Sequence, residues 1–257
     1  MNQKLLYAAL GLVVGAFAGF LFATSADRRE LESLRAQMGR AGTPSASPKS
    51  AGDAGAQQPP PGASPSMPTE AEMRDIIAKA DARADDGKYQ FQVGQGVYMY
   101  SLAQNSPALM PEAIRLLKRA EQSDPKNYQT LLLLGNAHFA LGQEGDAKQY
   151  DDARGYYQKA LATKPDDANL HALLGMTYYF ASPSDPQRAI AEYRKSLAKD
   201  PRHEMALQNI ASALIATGAT QEAEHRISEL ETVNPNNNAL NNLRAQLAQA
   251  KNAGVRK

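Results

Sequence analysis

The chain has no cysteine and no tryptophan, and aromatic residues fill 7% of its 257 positions. Without cysteine there is no disulfide framework, thiolate zinc site, cysteine nucleophile, redox dithiol or covalent C-x-x-C-H haem attachment. An excess of either charge is also missing. Lys and Arg number 28 against 27 Asp and Glu, and the two signs stay matched from residue 70 onward. Neither a nucleic-acid stripe nor a polybasic lipid patch is expected from such a balance. The histidines His138, His171, His203 and His225 form no H-x-x-x-H or H-E-x-x-H pair, and no glycine-rich phosphate loop or nucleophile elbow occurs. The acidic pairs Asp151-Asp152 and Asp166-Asp167 fall at helix starts, where carboxylates complement the positive end of the helix dipole. No catalytic residue, metal or cofactor is therefore expected.

What is present divides unevenly along the chain. Residues 5–24 contain no charge over 20 positions, enough helix to cross a hydrocarbon core of about 30 Å. We expect 1–26 to be an uncleaved transmembrane anchor; a cleaved signal peptide is the competing reading, although its apolar region usually runs only about 7 to 15 residues. Gly11, Gly15 and Gly19 leave one stripe of this helix bare, which permits self-association into a homodimer. Arginines at 28, 29, 35 and 40 favour a cytoplasmic C-terminal part. The short amino-terminal tail before an early apolar span has the form of a bacterial signal anchor that exports the rest of its chain. The expected location is the bacterial inner membrane, with the remainder periplasmic and the cytoplasmic side as the alternative.

Residues 27–40 extend the helix, with Leu31, Leu34 and Met38 on one stripe. Residues 41–68 hold seven of the fifteen prolines and almost no large apolar side chain. Such a segment cannot bury enough surface to offset its chain entropy, so a disordered tether is expected. Its end-to-end distance would be about 30 Å on the flexible-chain scaling. It stops at Thr69, three residues before Glu72, a pattern that forms a reciprocal capping box. A first helix is expected over 70–86, and the folded part over 69–251, with 252–257 as a tail.

From there the sequence repeats. Ser-Asp-Pro125, Thr-Lys-Pro165, Lys-Asp-Pro201 and Val-Asn-Pro235 each close an amphipathic stretch, at separations of 40, 36 and 34 residues. A period in the thirties signals stacked supersecondary units. Small and apolar residues recur at fixed offsets before each proline. The last two units carry Leu207, Ala211, Ala223, Ile227 and Leu230, and Leu174, Gly175, Tyr178, Ala189, Tyr193 and Ser196. The first two carry Leu134, Gly135, Ala153, Tyr157 and Ala160, and Val93, Gly94, Val97, Ala113, Leu117 and Ala120.

These offsets resemble the tetratricopeptide repeat family, a helix-turn-helix unit of 34 residues, over roughly residues 88 to 235. The resemblance implies an all-α solenoid of antiparallel helix pairs over 87–125, 128–165, 168–201 and 204–235, closed by a capping helix over 238–251. Gly135 with Ala153, and Gly175 with Ala189, are expected where paired helices come close, while tyrosines fill gaps between neighbours. Extra residues over the 34-residue period fall around 105–111, at Glu144 to Gln149 and around 182–186, in the turn between the two helices of a unit.

Members of this family hold peptides on a concave face lined by first helices. Mapped onto this chain, that face comprises Phe91, Gln95, Tyr98, Gln129, Leu132, Asn136, Phe139, Asn169, Met176, Tyr179, Gln208, Ser212 and Ile215. The lysine and asparagine clamp that some members use on a terminal carboxylate is replaced here by Phe91, Leu133 and Asn169, so carboxylate clamping is not expected. An extended or helical apolar segment suits such a face. The expected function is a non-catalytic, membrane-tethered protein-interaction scaffold. The alternative is an apocytochrome c-binding chaperone of cytochrome c maturation, and an enzyme is the remote one.

Overall fold

The computed structural model describes residues 67–255. Contacts divide the chain into units 1–74 and 75–257, and of the first only 67–74 are described, where helix α1 begins. The expected anchor with Gly11, Gly15 and Gly19, the juxtamembrane helix and nearly all of the tether lie outside the described residues. Among the described residues no helix is long and apolar enough to cross a membrane, and ten α-helices occur with no strand.

Helix α1 runs Glu70–Asp81. The Thr69 backbone N–H donates to Glu72 Oε2 at 2.7 Å, and Glu72 N–H returns a bond to Thr69 Oγ1 at 3.3 Å, which completes the expected capping box. The helix ends five residues before the expected 86. Gln90 Nε2 donates to the carbonyl of Ala80 in its last turn and to that of Arg83 just past its end, at 2.7 and 2.9 Å, so a buried side chain from the next helix caps it.

Four hairpins come next. They are α2 (Gly87–Ala103) with α3 (Met110–Ser123), α4 (Tyr128–Gln143) with α5 (Gln149–Thr163), α6 (Ala168–Phe180) with α7 (Pro186–Lys199), and α8 (Glu204–Ala216) with α9 (Thr220–Val233). Helix α10 (Leu240–Val255) closes the series, starting two residues after the expected 238 and ending four past the expected 251. It buries Leu240, Leu243 and Leu247.

One four-residue corner joins each hairpin to the next. The backbone N–H groups of Asn127, Asp167, His203 and Asn237 donate to the carbonyls of Asp124, Lys164, Asp200 and Asn234, all at 3.1–3.2 Å. In each case the intervening proline takes the second position of the turn, where its fixed φ is pre-set. The residue two past the proline then accepts a bond from the start of the next helix: Thr130 N–H to Asn127 at 3.0 Å, Leu170 to Asp167 at 3.1 Å, Ala206 to His203 at 3.2 Å and Ala239 to Asn237 at 2.8 Å. Each repeated phrase therefore stops one helix and caps the next.

Within each of the first three hairpins the two helices meet at a glycine, whereas α8 of the fourth has none and buries Ala211. A Cβ built on Gly135 would lie 2.3 Å from the Tyr157 ring, and one on Gly175 would lie 2.4 Å from the Tyr193 ring. The side chain seated over each glycine is thus the tyrosine of the second helix rather than Ala153 or Ala189, because the closest crossing falls one turn further along than expected. Both tyrosines are fully buried. In the first hairpin Gly94 faces Leu117 at 3.0 Å. Tyr178 instead bridges neighbouring hairpins, with the guanidinium carbons of Arg154 at 4.3 Å and Arg188 at 5.8 Å from its ring centroid.

The extra residues fall between paired helices as expected, but the chain absorbs part of them by lengthening α2 and α4 to 17 and 16 residues, against 13 for α6 and α8. Pro107–Leu109 forms a short 3-10 turn. In the second hairpin the loop is tied down rather than merely tolerated. Gln149 Oε1 bonds His138 Nδ1 at 2.6 Å, Gln149 Nε2 donates to Asp146 at 2.9 Å, and Tyr150 packs on Gly142 and Phe139.

The first helices α2 and α4, and α6 and α8, also touch each other across hairpins; the side of the series that the first helices line is the inner wall. Second helices meet their neighbours through long charged side chains. Glu121 pairs with Lys159 at 2.8 Å, Arg194 with Glu222 at 2.7 Å, and Glu224 of α9 with Lys251 of α10 at 2.7 Å; Asp81 of α1 holds Arg115 and Arg119 at 2.5 and 2.6 Å. Exposed pairs of this kind contribute about 0–1 kcal/mol each, so buried packing rather than the outer charges holds the hairpins together.

The glycine crossing gives an unusual sign test. Glycine to alanine in an open helical site normally stabilises by roughly 0.5–1 kcal/mol. Gly155 of α5 is such a site, since a Cβ there meets nothing within 4 Å, and Gly155→Ala should raise the melting temperature. Gly135→Ala should lower it, because the added methyl displaces the Tyr157 ring. A rise in both variants would contradict this packing.

Candidate partner-binding face

The inner wall displays a stripe that the stack does not cover. On α2, Phe91 and Gln95 are half-buried at i, i+4 spacing; on α4, Gln129 is exposed and Leu132 half-buried; on α8, Gln208, Ser212 and Ile215 are half-buried. Val93, Gly94 and Val97, on the other side of α2, are buried against α3. The spacing keeps one helix stripe inward and another toward its paired helix.

The structure does not give every expected residue the same standing. Asn169 and Tyr179 of α6 are half-buried, whereas Tyr98, Asn136, Phe139 and Met176 are buried within the stack. Asn136 Oδ1 accepts the Tyr157 hydroxyl at 2.9 Å. The Phe139 ring packs edge-on against Tyr150 and Phe180, with centroids at 5.2 and 6.1 Å. These four lie beneath the surface residues, packed against neighbouring helices. Phe91 and Gln129 come together in a shallow cleft of about 220 Å³ between the first two hairpins, which also includes Lys88 and Asp124. Gln208 is partly engaged by the capping segment, accepting from Asn237 Nδ2 at 3.4 Å.

Charge is sorted between the two kinds of helix. Helices α4 and α6 carry no Asp, Glu, Lys or Arg; α2 carries Lys88 alone and α8 Glu204 alone. Glu204 Oε1 accepts from Asn234 and Asn237 at 2.8 and 2.5 Å, which ties it to the capping corner. Each second helix carries at least four such residues. Among the described residues no group of three His, Cys, Asp or Glu could hold a metal ion. The acidic pairs have structural partners: Asp167 caps α6, Asp166 pairs with Lys199, and Asp151 holds Arg154 at 2.7 Å.

Family models described as tetratricopeptide repeat match residues 110–168, 144–204 and 182–247. Residues 110–247 are tetratricopeptide repeats. The first hairpin extends the series on the amino-terminal side with the same glycine crossing. The repeat domain is similar in fold to solved structures of MamA: one with 22% identity and TM-score 0.52 covers 63% of this chain and 85% of that one, and a second, from Desulfovibrio magneticus, has 17% identity and TM-score 0.52. A thermophilic TPR protein of Thermus thermophilus superimposes with TM-score 0.50 at 17% identity, covering 70% of this chain and 89% of that one. In sequence, 98 residues are 34% identical to the type IV pilus assembly protein PilF of Pseudomonas aeruginosa, covering 37% of each protein. The chain thus spans little more than a third of that relative's length.

Several residues that shape the repeat domain escape a reading of the sequence alone: Gln90, Arg154 and the capping role of His203. His203 had a signal, since it stands two past Pro201 where the other corners place Asn or Asp. Its Nδ1 accepts a backbone N–H, so the ring is held neutral at a helix start. Burial pushes its pKa down, against the pull of Asp200 and Asp167. Burial likewise lowers the pKa of His138, which Gln149 and Asp152 partly offset.

A histidine whose pKa is lower folded than unfolded supplies stability that is present above the unfolded value of about 6.5 and is lost as pH falls through the folded one. The melting temperature should therefore hold from about pH 8 to 7 and drop between about 6.5 and 5. His203→Asn, which keeps a cap without titrating, should lose less over that interval, as scanning calorimetry at stepped pH would report. An identical loss in the variant would contradict the role given to His203.

Proposed function

We propose that this chain is a non-catalytic interaction scaffold, tethered to the bacterial inner membrane by residues 5–24, whose periplasmic repeat domain holds a partner polypeptide on the wall formed by its first helices. The observation that carries this reading is the uncovered stripe that runs across hairpins: Phe91, Leu132 and Ile215 stay partly open to solvent while equivalent positions facing the second helices are buried. Partly open apolar side chains on a rigid surface contribute favourably when a partner covers them. Residues 5–24 have the length and apolarity of an anchor, and the glycine stripe at 11, 15 and 19 allows two anchors to pair. The partial similarity to a pilus assembly protein favours a scaffold in an envelope assembly over a cytochrome chaperone.

A photo-reactive residue in place of Leu132 should yield a covalent adduct with another polypeptide in living cells. The same residue in place of Gln158, exposed on α5, should not. Alkaline phosphatase fused to the carboxyl terminus should be active, as that enzyme requires the periplasm to form its disulfides. Adducts from position 158 alone would refute the groove, and an inactive fusion would refute the orientation.

A further inference from the structure

The extra residues of the second hairpin, Glu144 to Gln149, are pinned through one histidine. Gln149 Nε2 donates to Asp146 Oδ2 at 2.9 Å, so the atom that meets His138 Nδ1 at 2.6 Å is the amide oxygen, Oε1. An amide oxygen only accepts. The ring proton of His138 is therefore on Nδ1 and the lone pair on Nε2, and Nε2 is buried without a partner. Tyr156 of α5 stacks on the ring with centroids 5.4 Å apart, and the Asp152 carboxylate stands by the other nitrogen, 3.8 Å from Nδ1. A second proton, on Nε2, would be buried with no acceptor, and turning the ring to bring it to one would break the bond to Gln149. Burial pushes the pKa of His138 down, Gln149 and Asp152 pull it up, and the charge of Lys118 on α3 pushes it down again.

The rest of the loop has few anchors of its own. Glu144, Gly145, Asp146 and Lys148 are exposed. Helix α5 starts without a side-chain cap, whereas side chains cap α4, α6, α7 and α8. Under the end of the loop lies an aromatic set, in which the Tyr150 ring meets Phe139 and Phe180 with centroids at 5.2 and 6.3 Å.

We propose that His138 is an acid-released latch: a proton taken up from solvent at Nε2 drives the ring from its place, Gln149 is freed, and residues 144–150 open locally to bare Phe139 and Phe180. The corners at the other end of the hairpin, Asp124 to Asn127 and Lys164 to Asp167, keep their own backbone bonds, so the stack survives the opening. The latch is shut above the ordinary histidine value of about 6.5 and releases as pH falls below it.

Hydrogen exchange of the full chain in detergent, corrected for the intrinsic pH dependence of amide exchange, tests this. Between about pH 7.5 and about pH 5, protection of residues 144–152 should fall about tenfold or more, and further than that of 172–177 in α6. Hydroxyl-radical oxidation of Tyr150 should rise over the same interval. Gln149→Ala should show the open loop at both pH values. His138→Gln, which can donate to Gln149 but cannot titrate, should keep the loop shut at both, and His203→Asn should leave the loop's response unchanged. A loss no greater than in α6, or one that persists in His138→Gln, would overturn the proposal. Ring-nitrogen NMR of the unmodified chain gives a reading that needs no variant to fold. At neutral pH His138 should be the Nδ1–H tautomer; an Nε2–H tautomer, or a ring that becomes charged while the loop stays protected, would overturn it equally.

Discussion

In the second and third hairpins the paired helices cross where one of them has no side chain. Tyr157 and Tyr193 seat their rings in the space that a Cβ on Gly135 or Gly175 would take. That contact fixes the spacing of the pair, and the spacing fixes which faces are left for neighbouring hairpins. Tight interiors tolerate little added volume, so these two glycines constrain everything stacked on either side of them. The proline corners do the complementary task between hairpins. Each supplies a stop, a turn and a cap within four residues, so the same angle of entry recurs.

The repetition of one corner and one crossing separates first helices from second helices in chemistry as well as position. First helices are packed on two or three sides and carry almost no charge. Second helices keep one face in solvent and hold the ion pairs that link α1, the hairpins and α10. Isolated outer pairs contribute little to stability; their useful effect is to keep the outer surface hydrated and unlike the inner one. The ends are closed by elements that carry an outward polar face, with exposed Asp75 and Lys79 on α1 and Asn241, Asn242 and Gln246 on α10, as a finite stack requires.

The architecture is legible in the sequence because each of its two constraints leaves a mark that does not depend on distant residues. Proline at intervals of 34 to 40 residues and a small residue in each first helix suffice to place the hairpins. The partner of each small residue is not legible: the repeat pattern pairs Gly135 with Ala153, and the ring that covers it belongs to Tyr157, one turn away. The loop from Glu144 looks dispensable by period alone, although Gln149 and Tyr150 bind it to His138 and Gly142. The inner face is legible as a register but not as a surface. Helical periodicity places Asn136 and Phe139 in line with Gln129 and Leu132, yet the pressure of neighbouring hairpins buries the first two. That depth depends on how adjacent units close on one another, which no single repeat encodes.

A binding role for the inner wall requires that it be covered in the cell while the outer helices stay in water. Hydroxyl-radical footprinting of the chain in intact envelopes, compared with the purified chain, tests this most directly, because phenylalanine, methionine and tyrosine side chains report their own exposure. Oxidation of Phe91, of Tyr179 and of Met205, half-buried on α8, should fall in the envelope, with Tyr156, half-buried on α5, unchanged. Protection of Tyr156 instead, or equal oxidation of the inner residues in both samples, would contradict it.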